Sequence, residues 1–253
     1  MHSLLLMAIL IFSLTACGKK GALIYPDLLM PAAPTEISAN QIGTTARLQF
    51  VLPDNDRAGR KLIDLAGVKI NKLESDSPQG QTCNSCMTDY RLFRKLYLDL
   101  LTDGAQRYNN RILILDGDVN TAKTYSYSVV PFTRDGVDGL ASPPASVTLI
   151  KPTLPPILHA ESFPTEIRIS IVSLPPVTGR LIGYNVYRST QKDVIPYLPI
   201  NREPLTSNDF VDGGLERNVK YYYFGRTLVI FESGSMVESP VSNVVDGTLK
   251  NDE

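Results

Sequence analysis

The chain has 253 residues, with 25 Lys and Arg against 26 Asp and Glu, for a formal net charge of -1. A chain so balanced offers no polyanion-binding face, which excludes nucleic acid as a partner read from charge. Its two histidines, His2 and His159, are too few for a multi-histidine metal site or a His-based hydrolase, and 18 prolines with no tryptophan lean toward short strands and turns.

The first stretch is an apolar run from Leu4 to Phe12, followed by Leu14-Thr15-Ala16-Cys17-Gly18 and then Lys19-Lys20. The run is too short to span a bilayer and has the shape of a secretory signal, although Met1-His2-Ser3 supplies no Lys or Arg before it. A cysteine directly after Leu-Thr-Ala resembles the lipobox of bacterial lipoproteins. That resemblance implies that residues 1–16 are a signal peptide, that the Cys17 thiol receives a diacylglycerol, and that the new amino group is acylated after cleavage. Two or more acyl chains, palmitate among them, hold a protein on a membrane stably, since each buried methylene contributes roughly 0.8 kcal/mol. Gly18 stands where inner-membrane lipoproteins often carry Asp, so the same resemblance implies an outer-membrane anchor facing the periplasm. Cleavage removes no charged residue and leaves about 237 residues, enough for one large core or two small ones.

Residues 17–33 read as a lipidated tether kept extended by Pro26 and Pro31, with Pro34 at its end. Lys19 and Lys20 suit anionic head groups, and Leu23, Ile24, Leu28 and Leu29 suit the membrane interface. The opening Cys17-Gly18-Lys19-Lys20-Gly21-Ala22-Leu23-Ile24-Tyr25-Pro26 also resembles the Cys-Gly-x-Lys-Gly-Pro-Leu-Tyr-x-Pro start of a family of small Gram-negative lipoproteins, with Ala22 in place of the proline. Some of that family are linked to the outer-membrane lipopolysaccharide translocon, which implies an accessory role in lipopolysaccharide assembly as one alternative.

From Pro34 the pattern changes to period two. Ala46, Leu48, Phe50 and Leu52 alternate with Arg47 and Gln49, and further strands are expected at Gly67 to Lys72, Arg111 to Leu115, Thr124 to Val130 and Ser146 to Ile150. Tyr90 to Leu101 fits either a helix or a strand, and the strand is the reading adopted. Residues 34–151 therefore make a first antiparallel sandwich. After Lys151 to Pro156, a stiff linker, the same signals return over residues 152–249, with a polar tail at 250–253. Ile167, Ile169 and Ile171 answer Ala46 to Leu52, Gly183 answers Gly67, Tyr221 answers Tyr125, and Glu238-Ser239-Pro240 is matched to Ala141-Ser142-Pro143. The chain is a diverged tandem repeat.

Gly183-Tyr184-x-Val186-Tyr187-Arg188, Leu215 six residues before Tyr221-x-Tyr223, and Ser-Pro before the last strand resemble fibronectin type III domains, with aliphatics or Phe50 in place of the usual strand B tryptophan. The resemblance implies two tandem immunoglobulin-like β-sandwiches, an all-β fold, and a tyrosine corner at Tyr125 and Tyr221, whose hydroxyls bond nearby backbone. In Tyr221-Tyr222-Tyr223-Phe224, alternation predicts Tyr221 and Tyr223 inward with Tyr222 and Phe224 outward, which suits core packing or a domain interface better than sugar stacking.

Gly67 and Gly183 are 116 apart, whereas Tyr125 and Tyr221 are 96 apart, so the first repeat has about 20 extra residues, among them Cys83-Asn84-Ser85-Cys86. With Cys17 taken by lipid, Cys83 and Cys86 remain as an even pair in an oxidising compartment. A disulfide that pins the loop is one reading and a redox CxxC the other, although no βαβ unit supplies the helix that lowers a redox thiol pKa. Zinc would need two further ligands and c-type haem a histidine where Met87 stands, so neither a metal nor a cofactor is expected. No catalytic motif is present. The sequence thus predicts a non-catalytic, membrane-anchored envelope lipoprotein that binds an envelope protein as an adhesion or scaffold module, the alternatives being a thiol-disulfide factor or the lipopolysaccharide role.

Overall fold

The computed structural model describes residues 25, 28–76, 89–101 and 104–250. Cys17, Cys83 and Cys86, with the expected signal peptide, most of the tether and most of the insertion, lie outside these residues.

The first half contains β1 (Thr35–Ile42), β2 (Thr45–Val51), β3 (Leu65–Ser75), β4 (Arg91–Tyr97), β5 (Ala105–Tyr108), β6 (Arg111–Asp116), β7 (Thr124–Thr133) and β8 (Ala145–Thr148). The second contains β9 (Ile157–Ser162), β10 (Glu166–Val172), β11 (Arg180–Ser189), β12 (Asp209–Gly213), β13 (Tyr221–Ile230), β14 (Met236–Glu238) and β15 (Val245–Gly247). In the first half β1, β2, β6 and β5 lie side by side and face a sheet ordered β4-β3-β7-β8. In the second, β12-β10-β9 faces β11-β13-β15. These are the layers of two tandem immunoglobulin-like β-sandwiches.

Alternation builds each core. Ala46, Leu48 and Phe50 of β2 meet Ile112 and Ile114 of β6, and Val68, Ile70, Tyr125, Tyr127 and Val129 close the cluster from the opposite sheet. Ile167, Ile169 and Ile171 do the same in the second sandwich against Tyr184, Val186, Tyr221 and Tyr223. Burying one such side chain contributes about 1.5 to 3 kcal/mol before chain entropy is counted. The segment read either way forms strand β4, whose Leu96 enters the core while Leu92 stays exposed.

The two matched glycines sit at the same defect. The ladder slips between Leu65 and Gly67 where β3 meets β7, and between Leu181 and Gly183 where β11 meets β13. A Cβ on Gly67 would lie 2.0 Å from the Leu96 carbonyl oxygen, and one on Gly183 2.6 Å from that of Leu205. Close backbone approach at a bulge is what glycine permits.

Within the span assigned to the tether, residues 28–32 bond to the fold: Ala58 N–H donates to Leu28 O, Arg57 N–H to Met30 O, Ala32 N–H to Asn55 O and Leu140 N–H to Pro31 O. Residues 28–32 are thus laid against two loops at one pole of the first sandwich, because those loops offer backbone partners that an extended proline-rich segment can pair with. Phe224 lies outside the second core, as alternation expects, and is 1% exposed, which agrees with the domain-interface reading of that run.

Candidate partner-binding surfaces

Each sandwich is pinned by the same polar arrangement. The Tyr125 hydroxyl accepts the Asn120 N–H at 2.8 Å, and that of Tyr221 accepts the Glu216 N–H at 3.0 Å. Both bonds reach back five residues, which is tyrosine-corner geometry. Beside each corner lies a triad, built on a buried aspartate and tyrosine with a partly exposed cation, that the sequence reading missed. Tyr127 donates to Asp116 at 2.7 Å, and Lys72 Nζ stands 2.7 Å from the same carboxylate oxygen and 4.6 Å from the centre of the Tyr125 ring. In the second sandwich Tyr223 donates to Asp212 at 2.8 Å, Arg188 Nη1 lies 2.8 and 2.9 Å from the two carboxylate oxygens, and its guanidinium is 5.3 Å from the Tyr221 ring centre.

Burial first, and then the adjacent aspartate, holds the Tyr127 and Tyr223 hydroxyls well above the usual phenol range. Lys72 and Arg188 are 116 apart, and both the aspartates and the tyrosines 96 apart, so the signal was present in the repeat offsets already noted. A sandwich whose two sheets share such a cluster holds its loops in one arrangement.

The sandwiches are joined by backbone as well as side chains. Strand β14 pairs antiparallel with β13 and parallel with β1, Gln41 opposite Val237 and Ile42 opposite Glu238, so one eight-stranded sheet runs through both halves. Gln41 holds the start of the linker by accepting from Ile150 N–H at 2.9 Å and donating to Ile150 O at 2.7 Å. At the seam the buried Glu238 accepts the Tyr187 hydroxyl and lies 3.4 Å from Arg47 of β2 and 3.9 Å from Arg226. Burial raises the Tyr187 hydroxyl, helped by the Glu238 charge, and burial lowers Arg226. Arg47 Nη1 donates to Tyr197 O at 3.4 Å, and Tyr197 N–H donates to Gln106 at 3.3 Å, so a loop of the second sandwich also bears on the first. Phe224 stands opposite Tyr187 in the ladder, on this covered face.

Open surface remains on both sandwiches, with a cleft on the second lined by Arg188, Pro196, Glu216 and Tyr221, among others. On the first, a cleft of about 640 Å³ at one pole is lined by Leu62, Ile63, Tyr97, Lys61, Arg107 and Arg134, among others. Next to it β4 is an edge strand, with Lys95 lying 5.0 and 4.6 Å from the Tyr97 and Phe132 ring centres. Among the described residues no group of three or more His, Cys, Asp or Glu stands together as metal ligands, and no helix is long and apolar enough to cross a membrane.

No protein-family model matches the chain, and no curated protein matches it. Among solved structures it is similar to the crystal structure of the chicken CNTN1 FN1-FN3 domains, at 16% identity, over 88% of this chain and 68% of that one, with a TM-score of 0.34.

Proposed function

We propose that the chain is a non-catalytic lipoprotein of the bacterial cell envelope, anchored through acyl chains on Cys17 in the outer membrane and facing the periplasm, where it serves as a scaffold that binds an envelope protein. The observation that carries the scaffold reading is the shared sheet at β1 and β14 with the buried Glu238 cluster beside it. Two sandwiches joined only by a linker would reorient freely. Joined by a strand pair and buried charge, they hold their loops at fixed separations, which lowers the ordering contribution that opposes binding. The anchor rests on Leu14-Thr15-Ala16-Cys17.

The test has two arms. Cys17→Ser should move the protein from the membrane pellet to the soluble fraction, and its retention in the pellet after a high-salt wash would sink the anchor. Crosslinking in intact cells, followed by pull-down, should recover one envelope protein at a fixed ratio. Recovery of that partner should fall when Glu238→Ala loosens the seam. Capture unaffected by that change would remove the rigid scaffold from the reading.

A further inference from the structure

We infer that the pole of the first sandwich built from residues 28–32, 54–64 and 134–140 rests on the membrane surface, with Ile63 entering the head-group layer. The inference rests on the Cys17 anchor and adds an orientation to it. The chain leaves the described fold at this pole, since Leu28 and Met30 are hydrogen-bonded to Ala58 and Arg57 and Pro31 to Leu140. Cys17 to Leu28 is 11 steps of chain, at most about 36 to 40 Å, whereas the opposite pole is farther by the length of a strand, about 26 Å for the 8 residues of β1. An anchored chain therefore joins the first sandwich at this pole, which is the part of the fold nearest to Cys17 along the chain.

The surface there suits a lipid neighbour. Ile63, two residues before β3, is 87% exposed, and Leu29, Val137 and Leu140 are exposed on other loops of the same pole. The backbone joins them into one patch, since Arg134 N–H donates to Asp64 O and Gly139 packs on Pro31. Arg57, Arg60, Lys61 and Arg134 stand against Asp54, Asp56, Asp64, Asp135 and Asp138, with Arg60 paired with Asp56 at 2.9 Å and Asp138 with Lys69 at 2.6 Å. The patch thus has no net attraction for anionic lipid, and its contact is apolar. A face this small would bind bilayer weakly from solution, but the tether makes the contact intramolecular and raises its effective concentration into the millimolar range.

The chain contains no tryptophan, so Ile63→Trp and Val211→Trp each introduce a single emitter, the second on an exposed strand of the other sandwich. The full lipidated protein is reconstituted into vesicles of phosphatidylethanolamine and phosphatidylglycerol, some with brominated acyl chains, and floated before measurement. Expected is blue-shifted emission from Ile63→Trp, quenched about twofold or more by the brominated lipid and unchanged in high salt, with Val211→Trp insensitive. Emission from Ile63→Trp that matches Val211→Trp in floated protein overturns the orientation and leaves the anchor standing. Protein that fails to float overturns both. As a second readout, Ile63→Asp should raise trypsin cleavage after Lys61 in vesicles to the rate seen in detergent, and equal rates before the substitution would count against membrane contact.

Discussion

Asp116→Ala is expected to destabilise the first sandwich by about 3 to 5 kcal/mol, the range for removing one member of a buried ion pair. The structure sets that magnitude, because the substitution takes a partner from three groups at once. The Lys72 side chain, 12% exposed, loses its carboxylate and keeps only the Asp118 carbonyl, the Asp118 N–H loses its acceptor, and the fully buried Tyr127 hydroxyl loses its acceptor as well. Asp212→Ala removes the equivalent group from the second sandwich, but the Arg188 side chain is 32% exposed and can turn to water. What remains there is chiefly the stranded Tyr223 hydroxyl, about 1 to 3 kcal/mol. Urea unfolding of the soluble Cys17→Ser protein, followed by circular dichroism and by tyrosine fluorescence, measures both. A loss of 4 kcal/mol moves the midpoint by about 2 M where the slope is near 2 kcal/mol/M. Adding Tyr127→Phe to Asp116→Ala should recover part of the loss, since no hydroxyl is then left without an acceptor. Equal losses in the two sandwiches, or strictly additive losses in the double variant, would refute this account of the triads.

Tyr221→Phe should cost about 0.5 to 1.5 kcal/mol through the Glu216 N–H it leaves unpaired, while Tyr222→Phe stays within a few tenths; equal shifts in thermal midpoint would mean the corner bond contributes nothing. Gly183→Ala should destabilise by about 1 to 3 kcal/mol, because the Leu205 carbonyl must move, and a neutral result in the same urea assay would mean that the bulge is soft. Tyr127, Tyr187 and Tyr223 are all raised in the folded state, so above the unfolded value of 10.0 only the unfolded chain releases these protons and stability falls with rising pH; the last part of the rise in absorbance at 295 nm should come only with loss of circular dichroism, and full ionisation of all 12 tyrosines ahead of unfolding would contradict it. Cys83→Ser/Cys86→Ser should leave unfolding within about 1 kcal/mol of the parent, since so short a loop removes little chain entropy, while partner capture weakens; a large stability loss with capture intact would reverse the assignment.

Most of each core was legible because burial imposes strict alternation on β2, β10 and the β13 tyrosines. Strand β1 was not, since Thr35 to Ile42 is largely polar. It sits between β2 and β14, and its buried Gln41 serves the linker backbone rather than a core. The triads escaped for another reason. Lys72, Asp116 and Tyr127 come from three strands, and their contact depends on how the sheets stack, although the offsets of 116 and 96 placed every member. Burial of Phe224 was beyond the reach of alternation, which tells which side of a sheet a residue takes and not what covers that side.

The seam itself arises from one small difference between the repeats, which the sequence match of Ser239 to Ser142 obscured. Ser142 N–H donates to Val129 O at 2.8 Å and its hydroxyl accepts the Val129 N–H at 3.0 Å. The second sandwich makes the same pair of bonds twice, by Ser242 to Gly225 at 2.9 Å each and by Ser239 to Thr227 at 2.9 and 3.0 Å. Val129 and Gly225 are 96 apart, Ser142 and Ser242 100 apart, and the last strands β8 and β15 each begin three residues later. By ladder position and by distance to the last strand Ser242 is the counterpart of Ser142, and the second repeat has four more residues between its last long strand and its final short one. Those residues let the chain form β14 and present Glu238 to Arg47. The facing positions changed in step: where the first repeat has Asn71, Ser128 and Val130, the second has Tyr187, Phe224 and Arg226. A four-residue extension of one hairpin, with three larger side chains beneath it, is enough to turn the outer face of one sandwich into the joint between two.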